Sequence, residues 1–181
     1  MINRIRRIAR GCCAVAALSG AASDAGAATR EEVQRLDAAY PPGSVVVCRA
    51  DLPGDGRDRL PTRLESRVIV VTRTADQTVG RGTVSWITGG HTSPGLTLTF
   101  TVTQRKSESG YYSRIDPASM VVSMPGAGPE GEKLVLDGMR QRLPAGEEFA
   151  PFSQTEITDF PSYITRKPGE PPIYCHKEKQ E

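Results

Sequence analysis

Leu96-Thr97-Leu98-Thr99-Phe100-Thr101-Val102-Thr103 is the stretch that decides the fold class. Apolar side chains at 96, 98, 100 and 102 alternate without a break against threonine at 97, 99, 101 and 103. That two-residue period belongs to a strand with one buried face and one wet face. Thr97, Thr99, Thr101 and Thr103 then form a hydroxyl row on the wet side. Threonine suits the solvent face of any sheet, and a regular row is also a surface for a partner's strand, carbohydrate or ordered water. The four are therefore candidate partner-binding residues.

Reading outward, the same signal recurs on both sides. Gly89-Gly90-His91-Thr92-Ser93-Pro94-Gly95 turns the chain back towards Gly82-Thr83-Val84-Ser85-Trp86-Ile87-Thr88, which holds the single tryptophan. Arg67-Val68-Ile69-Val70-Val71-Thr72 and Ser44-Val45-Val46-Val47-Cys48 are earlier β-branched runs. Downstream, segments 111–115, 119–124 and 133–137 continue the series. Asp137-Gly138 predicts a tight hairpin turn into a further strand at 139–143, and Ile173-Tyr174-Cys175 supplies a last edge strand. Helical period occurs only at 29–40, where Thr29 and Glu32 have capping-box spacing and Val33, Leu36 and Tyr40 share a face. Pro41-Pro42-Gly43 ends it. The expectation is an all-β, single-domain antiparallel β-sandwich or small β-barrel of about seven to nine short strands with a short N-terminal helix.

The 181-residue length agrees with one domain. With 24% charged and 38% hydrophobic residues the chain suits a folded protein better than a disordered one. Aromatic residues, at 6%, are too few for a nucleic-acid stacking surface. Residues 1–27 have the layout of a secretory signal peptide: Arg4, Arg6, Arg7 and Arg10, then a small apolar run from Gly11 to Ala22, then Ala25-Gly26-Ala27. The run is too short for a membrane span of about twenty residues, so no stable membrane insertion is expected after cleavage. The domain is then 28–181. Cleavage removes four arginines and one acid, Asp24, and leaves 19 basic and 20 acidic side chains, a net charge of −1. Such a chain has no cationic stripe for nucleic acid.

Two cysteines survive cleavage, Cys48 and Cys175. In an oxidising compartment their simplest fate is one disulfide. A Cys175-His176 chelate or dyad is disfavoured, because neighbours on a strand point to opposite faces.

The residues that carry chemistry are sparse. His91 and His176 are the only histidines, too few for a zinc site of ordinary spacing. Neither a metal nor another cofactor is expected. His91 with Ser93 and a distant aspartate gives a hydrolase only on paper, since no G-x-S-x-G elbow occurs. Gly80-Arg81-Gly82 and Gly89-Gly90 lack the Lys-Ser/Thr and the helix of a phosphate loop. Glu130, Glu132, Glu147 and Glu148 fall in turn-rich segments where solvated acids belong. Two loops hold the rest. One is charged and includes Arg57 and Asp58, which join His91 as candidate partner-binding positions. The other, 145–161, contains Phe149, Phe152 and Phe160 and reads as a segment pinned onto the core.

These features predict an exported, non-enzymatic binding protein of the bacterial cell envelope, periplasmic or secreted. Its partner is expected to be a protein, in the manner of an inhibitor, an immunity-type neutraliser or an accessory subunit. The alternatives are a lipocalin-like barrel holding a small apolar ligand and, third, a hydrolase using His91.

Overall fold

The computed structural model describes residues 26–56 and 60–179. All but the last two positions of the leader read at 1–27 lie outside the described residues, as do Arg57 and Asp58. Helix α1 (Arg30–Ala38) is followed by strands β1 (Val45–Leu52), β2 (Thr62–Arg73), β3 (Gln77–Thr88), β4 (Leu96–Lys106) and β5 (Gly110–Ser123). Helix α2 (Gly128–Arg140) precedes β6 (Glu148–Pro151), a 3₁₀ turn (Phe152–Gln154), β7 (Thr155–Ile157), β8 (Tyr163–Thr165) and β9 (Ile173–Lys177). The fold is all-β, as the alternation at 96–103 predicts. Of the two architectures foreseen, the nearly closed barrel is the one present.

All nine strands belong to one antiparallel sheet, in the order β6-β5-β4-β3-β2-β1-β9-β8-β7. An odd number of strands cannot close with antiparallel pairs alone, because the last two neighbours run the same way. Here those two are β6 and β7, and the chain joins them through three residues. Phe152 N–H donates to Ser109 O at 2.8 Å on the β5 side, and Gln154 O accepts from Arg166 N–H at 2.8 Å on the β8 side. β6, the turn and β7 are thus one course that changes neighbours midway. Counted by courses, the barrel has eight, the number whose interior is just wide enough for side chains or one small ligand.

The disulfide ties the first strand to the last. Cys48 and Cys175 lie directly opposite in the β1–β9 pair with Cα atoms 4.1 Å apart, and they are bonded. The crosslink spans 127 residues, and the chain-entropy model gives at most about 5 kcal/mol for that loop.

Helix α2 corrects the sequence reading of 133–137 as a strand, Asp137-Gly138 as a hairpin turn and 139–143 as the returning strand. Glu132, Leu136, Met139 and Leu143 recur at helical spacing, and Met139 is buried with Val135, Leu136 and Leu143 packed around the same core. That burial outweighs the roughly 1 kcal/mol that glycine costs inside a helix. Pro129 stands in the first turn, where its missing N–H matters least. The helix also covers the free edge of β5: Arg140 Nε donates to Pro117 O at 2.9 Å and Nη2 to Met120 O at 3.3 Å.

Segments 111–115 and 119–124, read as two strands, are one. Its pairing with β4 shifts between Thr99 and Thr101, around Pro117. β2 to β5 run 11 to 14 residues and are not short. At 29–40 the structure has the expected helix and capping box, with Glu32 N–H donating to Thr29 Oγ1 and Thr29 N–H donating to Glu32 Oε2.

Two glycines fix how closely the strands approach. The Phe100 ring lies over Gly82, its register partner, where a Cβ would fall 2.6 Å from Cζ. At Gly110 a Cβ would fall 2.0 Å from the backbone oxygen of Ala150. A ring can rotate away, whereas a paired backbone cannot. Gly110→Ala is therefore expected to cost about 3 kcal/mol and to cost more than Gly82→Ala. Urea unfolding midpoints of the two variants check this ordering.

Candidate functional site

The inward faces of the strands are not filled evenly. Around α2 they are packed solid by Leu64, Val84, Trp86, Leu98, Met120 and Val122. Towards α1 they border a partly open cavity of about 110 Å³. Ser66, Val68 and Val102 occupy inward positions there yet are only half-buried, because part of their surface faces this space. Gly80 keeps it open, since a Cβ would fall 2.8 Å from Val68 Cγ1. Cys48 of the disulfide also lines the cavity.

Helix α1 lies across this end. Val33, Leu36, Asp37 and Tyr40 recur as i, i+3, i+4 and i+7, one face of a helix, and all four line the cavity. Three of them are buried against Phe152, Val70 and their neighbours. The fourth, Asp37, is an acid within an apolar stripe, and the strand ends supply its partners. Arg73 Nη1 lies 2.7 Å from Asp37 Oδ1 and donates to the Asp37 carbonyl at 2.7 Å. Lys106 Nζ pairs with Asp37 Oδ2. Tyr111 Oη donates to Oδ1 at 2.9 Å.

The arrival of Arg73 inside depends on one extra residue. Val70 pairs with Gly80, but Thr72 rather than Val71 pairs with Val79, so Arg73 faces Thr78. Simple alternation from Val70 would send Arg73 outward. The bulge at Val71 re-aims it into the barrel, a common role of such insertions. Lys106 arrives by unbroken alternation from Phe100, through Val102 and Gln104.

Gln154 completes the lining. It sits where the course changes neighbours, and its side chain is buried with neither Nε2 nor Oε1 hydrogen-bonded. Arg73 Nε is likewise buried without a partner. Buried polar groups are ordinarily paired; these two share one cavity, whereas the unpaired Trp86 indole N–H lies in the core beside α2.

Burial also governs the tyrosines. It pushes the Tyr40 phenol up to about 12. Tyr111 is raised by burial and then by the Asp37 carboxylate, and Tyr163 by burial and then by Tyr40.

The candidate residues read from the sequence fall elsewhere. Thr97, Thr99, Thr101 and Thr103 line the outer face of β4, half-buried and away from the cavity. Ser85 Oγ and Thr97 Oγ1 lie 3.4 Å apart across β3 and β4. His91 is exposed in the β3–β4 turn. The three phenylalanines of 145–161 separate: Phe152 is buried edge-on against Tyr111, Phe149 packs on Tyr112, and Phe160 is exposed beside Arg35. Among the described residues no group of three or more His, Cys, Asp and Glu converges as a metal would need. No helix there is long and apolar enough to cross a membrane.

Asp37, Arg73, Lys106, Tyr111 and Gln154 are not among the site residues expected from the sequence. The signal for Asp37 was present, as the one charged residue in the stripe of Val33, Leu36 and Tyr40. No family model, no curated protein and no solved structure matches the chain.

Two predictions follow from this cluster. Asp37→Asn leaves Arg73 and Lys106 without their counter-charge in a site where each side chain is only 17% exposed. The expected loss is about 3 kcal/mol, read as a lower urea midpoint. The second concerns alkaline pH. Unfolded, each phenol releases its proton near pH 10, while Tyr40, Tyr111 and Tyr163 hold theirs in the fold. Above that pH the native state binds more protons than the unfolded one, so stability falls as pH rises. Each tyrosine contributes a slope of up to about 1.4 kcal/mol per pH unit, and urea midpoints measured across this range test the sum.

Proposed function

We propose that the protein is an exported, non-enzymatic binding protein that holds a small and mainly apolar molecule inside its barrel. The observation that carries this reading is the cavity left between α1 and the strands. Packed cores leave few voids larger than a water molecule, and a site needs only about 10–15 Å³ of such space for each water. A 110 Å³ cavity is several times that size and has both an apolar wall and a few unpaired polar groups, the usual make-up of a ligand site. Export is supported by the leader-like segment 1–27 and by the Cys48–Cys175 bond, which suits an oxidising compartment.

A protein partner is the second reading. In its favour stands the outer face of β4, where the threonine row runs beside Val121, an apolar side chain 61% exposed and paired with Thr99. An apolar side chain next to an ordered hydroxyl row suits a docked segment of another chain.

Filling the cavity separates the two readings. Val68→Phe places a ring in the space while leaving the outer face unchanged. Toluene is expected to raise the thermal midpoint of the wild type, by a free energy of about 2.7 kcal/mol at roughly a hundred times its Kd. The variant should show no such rise. If wild type and variant both ignore toluene and a panel of similar small apolar compounds, the ligand reading fails and the outer face becomes the better site.

A further inference from the structure

The charges around Asp37 do not balance. Arg73 and Lys106 share its one carboxylate, so the cluster keeps an excess of one positive charge at a largely desolvated position. Both carboxylate oxygens are engaged, Oδ1 by Arg73 and Tyr111 and Oδ2 by Lys106. Arg73 spends only Nη1 on Asp37. Its Nε is buried and unpartnered, and the Gln154 amide, 7% exposed, is unpartnered too. Arg73 and Gln154 line the same cavity, whose remaining wall includes Val68, Phe100 and Val102.

Uncompensated charge and unpaired donors in a low-dielectric interior are costly, and one kind of ligand answers both. We infer that the cavity takes a small monocarboxylate, its carboxylate on Arg73 Nε–H and Gln154 Nε2–H and its short apolar tail against Val68, Phe100 and Val102. A carboxylate is the acceptor that an arginine edge recognises best. A single negative charge cancels the excess, whereas a dianion would overshoot it. A neutral alcohol satisfies a donor and leaves the charge as it was. The volume limits the tail, since an engineered apolar cavity of about 150 Å³ accepts benzene. This inference rests on the reading of the cavity as a ligand site, and its test separates the two.

The full chain in its disulfide-bonded form is titrated calorimetrically at neutral pH with n-alkanoates from butanoate to decanoate. The alcohols and amides of matched length are titrated beside them. The expected result is that one or more alkanoates bind about tenfold or more tightly than their alcohol and amide counterparts. Equal or tighter binding of the alcohols overturns the carboxylate inference and leaves the ligand site standing. No binding by any of the three series overturns both.

Gln154→Leu supplies the second readout, because it removes an amide that has no partner in the fold. Its thermal midpoint should hold or rise, while the preferred alkanoate weakens about tenfold and the matching alcohol weakens less. A lowered midpoint with unchanged alkanoate affinity makes Gln154 a structural residue and overturns its assigned role.

Discussion

A sheet whose strands alternate in direction has to hide two edges, and an odd strand count leaves those edges parallel, so antiparallel pairing cannot join them. The chain meets this constraint by passing one course from edge to edge. β6 is bonded to β5, β7 to β8, and the turn Phe152–Gln154 between them has backbone hydrogen bonds to both sides. The other features of the barrel follow from that manoeuvre. The turn requires Phe152 to enter the core against Tyr111 and Val33. It also puts the Gln154 side chain inside, at the seam, where neither neighbouring strand provides a matching group. An edge left open would be a template for unwanted pairing. Near-closure, with α2 over the free part of β5, reduces that hazard and creates an interior.

The wall so formed is uneven. β2 to β5 make long ladders of 11 to 14 residues, whereas β6 to β9 contribute three to five residues each. Regions with few paired residues open first, so the thin arc is the part of the barrel that needs a tie. The Cys48–Cys175 bond joins it to β1, next to the long wall, and Lys177 Nζ donates to Ala39 O at 2.8 Å to bind it to the end of α1. The two helices divide the interior accordingly. α2 closes one half with Met139 and its neighbours, in a core without charged side chains among its buried residues. α1 closes the other with a face that includes a carboxylate, so its seating depends on charged groups from β2 and β4 and on a hydroxyl from β5.

How much of this was legible in the sequence depended on whether the governing interaction is local. The threonine alternation at 97–103 and the Thr29–Glu32 capping box are local, and both appear as read. The disulfide follows from counting, since only two cysteines remain beyond the leader. Helix α2 escapes the sequence reading because Asp137-Gly138 is a strong turn signal, and the burial that overrides it comes from other strands, from Met120 and Val122 of β5 back to Trp86 of β3. Arg73 was illegible for another reason. Its direction depends on the bulge at Val71, and nothing in Val70-Val71-Thr72-Arg73 announces an extra residue. Gln154 lies in a stretch read as irregular, and it becomes interior only once the course is known to change neighbours there.

The position of the unpaired groups bears on why the interior is built this way. A barrel selected for stability alone would fill the space beside α1 as it fills the space beside α2, and leucine at 154 would serve it better than glutamine. An unsatisfied buried amide and a surplus cation both lower stability, and natural proteins tend to keep such costs at functional sites. Here they share one cavity with Arg73, the residue that also seats α1 through Asp37. A carboxylate taken up at Arg73 Nε, as proposed, would leave the Nη1 contacts with Asp37 in place and would neutralise the charge that Lys106 adds. Ligand and helix would then draw on different edges of one guanidinium, so occupancy would strengthen the closure of the barrel end instead of competing with it.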